Sequence, residues 1–93
     1  MVVHIKRDLY LVQCGKCFYC GKFMSAFPWH PTNIRGYTVD HLYPRSKPDE
    51  NPLPKGNNSV LACVSCNQKK GNRLPTSKEV QKHAWLKALI SVV

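Results

Sequence analysis

Acid is scarce in this chain: its 93 residues carry five aspartates and glutamates against 14 lysines and arginines, a formal charge of +9. Such an imbalance in a small domain argues for a polyanionic partner, most simply nucleic acid. Long apolar runs are lacking as well. No stretch approaches the roughly 18 apolar residues of a membrane span, so no membrane partner is expected. Internal repeats and low-complexity tracts are absent, and the length suits one domain, 1–93. The first residues, Met1 to Asp8, lack a charged segment leading into an apolar one. We therefore expect no secretory leader and a reducing, cytoplasmic setting. Seven prolines, five glycines and many asparagines break up the apolar stretches. A chain so rich in loops has difficulty offsetting its ordering entropy, and a covalent or metal staple is expected.

Five cysteines are present to supply it. In a reducing compartment they favour metal ligation over disulfides. Cys63 and Cys66 form one Cys-x-x-Cys pair. Cys14, Cys17 and Cys20 fall at three-residue intervals, so either Cys14/Cys17 or Cys17/Cys20 could be the other. Gly21 just after Cys20, and the aromatic Phe18-Tyr19 within the turn, favour Cys17/Cys20, because a knuckle turn needs backbone amides facing the sulfurs. Cys14 is then a small buried hydrophobe or a spare thiol. Four thiolates make a closed, structural Zn²⁺ site with no position left for water. Its contribution is to folding, about 10–16 kcal/mol apparent in small zinc modules.

Around this clamp the elements read coarsely. Leu9-Tyr10-Leu11-Val12 fits a strand or one helical turn. Residues 23–36, with two prolines, an asparagine and a glycine, read as loop. Residues 37–43 are rich in β-branched and aromatic types, a strand whose alternation sets Asp40 on one face and His41 on the other. Pro44 to Asn57 is a long loop, of the kind that is usually functional. Residues 58–62 read as a returning strand, and Cys63 to Arg73 as a helical segment ending near Gly71. Thr76 and Glu79 have capping-box spacing and open a helix over about 76–92. Val80, Ala84, Trp85, Ala88, Leu89 and Val92 mark its packed stripe, widened by Leu86, Ile90 and Val93. The excess apolar width suits the core or a weak dimer contact, so monomer and weak dimer both stay open.

Hydrolysing a phosphodiester takes an in-line water, a base to activate it and a cation to hold the developing charge. A neutral histidine suits the base, and a hard divalent ion wants carboxylate and amide oxygens. Asp40, His41, Asn58 and Asn67 form one such set near the clamp. Arg45, Lys69, Lys70 and Arg73 cluster around it as candidate phosphate contacts. His30, beside Trp29, is a remoter candidate for zinc or substrate contact.

Asp40-His41, Asn58 five residues before Cys63, and Cys66-Asn67 leading to Lys70-Gly71-Asn72-Arg73 together resemble the HNH endonuclease family with its ββα-metal fold. The two cysteine pairs match the zinc-bearing branch, and the resemblance covers residues 17–73. It implies an α+β fold, a small ββα-metal domain stapled by a four-cysteine zinc site and followed by a C-terminal helix. By the same resemblance His41 would be the general base, Asp40 a ligand of the catalytic ion, and Asn58 a residue that pins the histidine segment through the backbone. Asn67 stands where many members carry a second histidine. This HNN variant should favour Mg²⁺ or Mn²⁺, since an amide oxygen is a poor ligand for softer ions.

The expected activity is hydrolysis of double-stranded DNA, by nicking or cutting, with RNA left open as a substrate; the resemblance implies 3′-hydroxyl and 5′-phosphate ends. Nothing resembles a recognition domain, so sequence preference should be weak unless a protein partner supplies it. Two alternatives are a zinc-ribbon-like nucleic-acid-binding module without catalysis and a phage packaging accessory that uses the nuclease fold for assembly. If the clamp is the staple, a chelator strong enough to strip Zn²⁺ should unfold the chain. Circular dichroism that survives complete zinc removal would show the clamp to be dispensable.

Overall fold

A computed structural model describes residues 5–54 and 57–92, and the side chains of 7–54 and 57–90. Gly56 and Val93 lie outside this range, as does the side chain of Val92. The elements run α1 (Ile5–Val12), β1 (Ser25–Pro28), β2 (Gly36–His41), a 3₁₀ turn (Pro48–Glu50), β3 (Ser59–Ala62), α2 (Val64–Lys70) and α3 (Ser77–Val92). This is a small α+β fold around a three-stranded sheet of order β1-β2-β3.

The ambiguous Leu9–Val12 run is helical, because Leu9 becomes the inward anchor of α1 at 1 % exposure. Past its end, buried Gln13 behaves as a fragment of strand. Its amide exchanges hydrogen bonds with both backbone groups of Leu61, Nε2 to the carbonyl at 2.8 Å and Oε1 from the N–H at 2.9 Å. The open side of β3 is thereby satisfied by a side chain, as a buried backbone requires.

Residues 23–36 are not all loop. Ser25–Pro28 forms an edge strand parallel to β2, with a register irregularity between Ser25 and Pro28. Its sequence, Ser-Ala-Phe-Pro, lacks the β-branched pattern that signals a strand, and a proline is tolerated at such an edge. Close approach makes the pairing. A Cβ at Gly36 would stand 2.5 Å from the backbone of Pro28 and Trp29, so only glycine lets β1 lie there. The second pairing is the regular one: β2 and β3 run antiparallel, with Asp40 opposite Val60 and His41 opposite Ser59.

β3 is buried on both faces, Val60, Leu61 and Ala62 all being inaccessible. Leu61 and Ala62 join Leu9, Cys17 and Met24; Val60 joins Phe18, Leu42 and Leu86. Two small clusters thus share one strand.

On α3 the Thr76–Glu79 capping box forms reciprocally, at 2.9 Å and 3.2 Å. The packed face is not the stripe expected from hydrophobicity. Trp85 is 63 % exposed and Ala84 and Ala88 are exposed, while His83 and Leu86 are buried and Ile90 packs on the core. The helix is turned by its anchors. Leu86 inserts beside Phe18, and Lys82 Nζ donates to the Phe18 carbonyl at 2.5 Å while lying over its ring.

His83 is the polar residue on that face, 3 % exposed; its ring lies by the Asn57 backbone, and its Nε2 has no hydrogen-bond partner among the described residues. Burial, with Lys87 adding to it, holds the imidazole below its ordinary pKa; the Asn57 backbone opposes this only in part. As pH falls through about 6.5, the unfolded chain takes up a proton at His83 while the folded chain does not. Stability from this residue is therefore present above that pH and lost below it. Replacing His83 with Leu should make the melting temperature fall less steeply between pH 7 and pH 5 than in the unaltered protein. Equal slopes in the two would remove His83 from the acid response.

Candidate metal centres and phosphodiester site

The 17–20 turn is built as a thiolate knuckle. The Tyr19 N–H points at Cys17 Sγ at 3.4 Å, the Cys17 N–H bonds the Lys22 carbonyl at 2.8 Å, and Gly21 takes φ +76 to close the turn. Across the sheet, Cys63 precedes α2 and Cys66 sits in its first turn. The four sulfurs of Cys17, Cys20, Cys63 and Cys66 lie within 4.8 Å of one another, and Cys20 and Cys63 are 3.9 Å apart. Tetrahedral Zn²⁺ with bonds of about 2.3 Å requires sulfurs about 3.8 Å apart. The four residues could hold zinc. Cys14 is outside this group, exposed and at φ +55, so it is not the buried hydrophobe that its composition allowed. Burial pushes the Cys17 and Cys66 thiols up, whereas the Lys22 amide draws Cys20 down to about 7.

The aromatic between those cysteines reaches the second site. Tyr19 donates its hydroxyl proton to Asp40 Oδ2. Burial, and then the bond to Asp40, hold the phenol well above the usual tyrosine range, so it stays a donor. Lys70 approaches the same oxygen at 3.6 Å and donates to the His41 carbonyl at 2.8 Å. Both contacts of the carboxylate fall on Oδ2, so among the described residues Oδ1 is left for a cation. The carboxylate is buried and oriented from two sides.

Asn67 lies one turn before Lys70 on α2. Its amide nitrogen donates to Thr38 Oγ1 at 2.9 Å and to the Val39 carbonyl at 3.4 Å. Thr38 and Asp40 occupy one face of β2, two residues apart, so Asn67 and Lys70 address neighbouring positions of the strand. Thr38 engages the nitrogen end of the amide; the oxygen end is the one a hard cation takes.

Asn58 brackets the other side. It accepts from the Tyr43 N–H at 2.8 Å, donates to the Tyr43 carbonyl at 2.7 Å, and its own carbonyl receives the Leu42 N–H. The chain leaving His41 is thus clasped where the long loop returns. His41 is half-buried, and its pKa lies below the ordinary value through burial and then Arg45, with Asp40 opposing.

The basic residues divide. Arg45 and Lys69 are exposed. Lys70 is 5 % exposed and turned inward onto Asp40. Arg73 forms a two-pronged bond to Glu79, both contacts at 3.0 Å. A cleft of about 170 Å³ opens between Tyr19, Lys69, Lys70 and Arg73. His30 is far from this chemistry in its contacts, bonding Thr32 in an exposed turn.

Tyr19 and the inward Lys70 are the participants that residue patterns miss. Tyr19 was legible only as an aromatic inside a knuckle, and Lys70 only as one of a run of cations. Removing Lys70 leaves a buried carboxylate with half its partners, a loss of about 3 kcal/mol. Lys70→Met should therefore lower the denaturation midpoint accordingly, and adding Asp40→Asn should restore much of it. Additive losses in the double variant would mean that the pair is not coupled.

Residues 17–73 match the sequence model of the HNH endonuclease family. The chain is also similar to the CRISPR-associated endonuclease Cas9 of Staphylococcus aureus, 40 % identical over 72 residues. That match covers 75 % of this chain but 6 % of the relative's length. The matched family segment begins at the first knuckle cysteine, contains Asp40, His41, Asn58 and Asn67, and ends at Arg73. Sulfur knuckle, antiparallel strand pair and short helix all lie within it, and this chain belongs to the HNH endonuclease family.

Proposed function

We propose that this protein is a metal-dependent endonuclease that hydrolyses phosphodiester bonds of double-stranded DNA with little sequence preference. The observation that carries the reading is that one helix addresses successive same-face positions of β2, Asn67 bonding Thr38 and Lys70 reaching Asp40, with His41 following Asp40 at the strand end. Asp40 Oδ1 and Asn67 Oδ1 are hard oxygen donors and would hold Mg²⁺ or Mn²⁺, which when bound supplies charge stabilisation to the phosphoryl oxygens and the departing oxygen. Cys17, Cys20, Cys63 and Cys66 would hold a structural Zn²⁺ that takes no part in the reaction.

His41, neutral near pH 7, accepts the proton of the attacking water as its oxygen bonds to phosphorus. The bond from phosphorus to the 3′-oxygen breaks, and that oxygen leaves as a hydroxyl after taking a proton from solvent. A 5′-phosphate remains. Asn58 acts through the backbone of Tyr43, keeping the chain after His41 from shifting with the long loop. Lys70 and Tyr19 orient the Asp40 carboxylate. Arg45 and Lys69, both exposed, would meet flanking phosphates, and Arg73 joins them if substrate competes with Glu79.

The deciding experiment incubates zinc-loaded protein with supercoiled plasmid, with and without Mg²⁺. Nicking or linearisation should require the added ion. His41→Ala should reduce the rate at least about 100-fold while DNA binding stays nearly intact. Undiminished cleavage by that variant would remove His41 from the mechanism, and a folded wild-type protein inert with both Mg²⁺ and Mn²⁺ would leave a binding module.

A further inference from the structure

A second surface has the chemistry of a nucleic-acid contact but lies apart from Asp40 and His41. Immediately after the knuckle, Lys22 and Phe23 border a groove of about 540 Å³ whose other wall is Ile34, Arg35 and the start of α2. An adjoining cavity of about 310 Å³ shares Phe23 and Arg35 and continues the groove toward β1. Phe23 is 72 % exposed and Ile34 69 %, an uncommon state for such large apolar groups side by side. Lys16 lies over the Phe23 ring, 5.1 Å from its centre. No acidic residue lines either cavity among the described residues.

We infer that this groove binds a single-stranded segment of nucleic acid next to the cleavage site. The inference rests on the nuclease reading above and narrows its substrate. An exposed phenyl ring flanked by three cations matches what an unpaired nucleotide presents: a flat base to stack and phosphates to neutralise. A duplex keeps its base faces covered and offers Phe23 nothing to stack on. An apolar protein partner would gain nothing from Lys16, Lys22 and Arg35. The position suits a flanking strand. Val64 and Ser65 of α2 line the groove, while Asn67 and Lys70 of the same helix face Thr38 and Asp40 of β2. Along the helix axis the two sets of residues are separated by about 3–9 Å, which is about one to three nucleotides. The preferred substrate is then a duplex with an adjoining flap, overhang or displaced strand.

The test compares the full chain on a labelled duplex and on the same duplex bearing a single-stranded overhang. Binding is read by fluorescence anisotropy at fixed salt, without chelator or Mg²⁺, and nicking is read separately with Mg²⁺. The wild type should bind the overhang substrate about tenfold more tightly, the worth of stacking one base on an aromatic ring. Phe23→Ala and Arg35→Ala should each remove most of that preference while plasmid nicking continues at its usual rate, and Phe23→Trp should retain the preference. The inference is overturned if the wild type does not discriminate, or if Phe23→Ala weakens both substrates equally or neither. Failure of the nuclease reading looks different: no nicking of any DNA, with the overhang preference and its dependence on Phe23 intact.

Discussion

Four sulfurs from two turns, 43 residues apart between Cys20 and Cys63, converge within 4.8 Å, and the rest of the molecule is arranged around that meeting. The two hydrophobic clusters are small and share β3, and each takes one knuckle residue, Cys17 in one and Phe18 in the other. Thiolate ligation of a metal, being directional and strong, would fix the 17–20 turn further. Once the knuckle is held against the start of α2, Cys17 and Phe18 fill the core from one side. Tyr19, between the ligands, is carried to Asp40. The four-cysteine cluster and the Asp40 carboxylate are therefore joined by one side chain.

That connection bears on any metal the four cysteines would hold. A closed thiolate site offers no ligand position to substrate, yet its turn supplies one of two groups that orient Asp40. The second, Lys70, comes from the far end of the helix that the other cysteine pair begins. Loosening either pair would disturb the carboxylate from a different direction. The buried Asp40–Lys70 contact is costly to form, since both ions leave water, and its use here is orientation more than stability.

The basic residues meet different surroundings once the chain is folded. Lys70 is internal, Arg73 closes onto the capping glutamate of α3, and Arg45 and Lys69 remain on the surface. Lys16, Lys22 and Arg35 gather around Phe23 and Ile34. A net charge of +9 does not distinguish these uses. Burial and pairing do, because a cation facing a carboxylate at close range is already neutralised and one facing solvent is not.

Much of the frame was legible in the residues alone. Two Cys-x-x-Cys spacings, a glycine after the first pair, a β-branched run around Asp40-His41 and the Thr76–Glu79 box each encode a local geometry, and local geometry is what short-range sequence determines. The edge strand at Ser25–Pro28 was not legible, because the contact that makes it, Gly36 against the Pro28 backbone, is not a property of its own residues. The face of α3 was hidden for a similar reason: several apolar stripes were available, and the positions of Phe18 and Leu86 chose among them. Sequence by itself determined which groups could ligate, titrate or cap. Only the tertiary structure decided that Tyr19 meets Asp40 and that Lys70 turns inward, since both depend on elements brought together from distant parts of the chain.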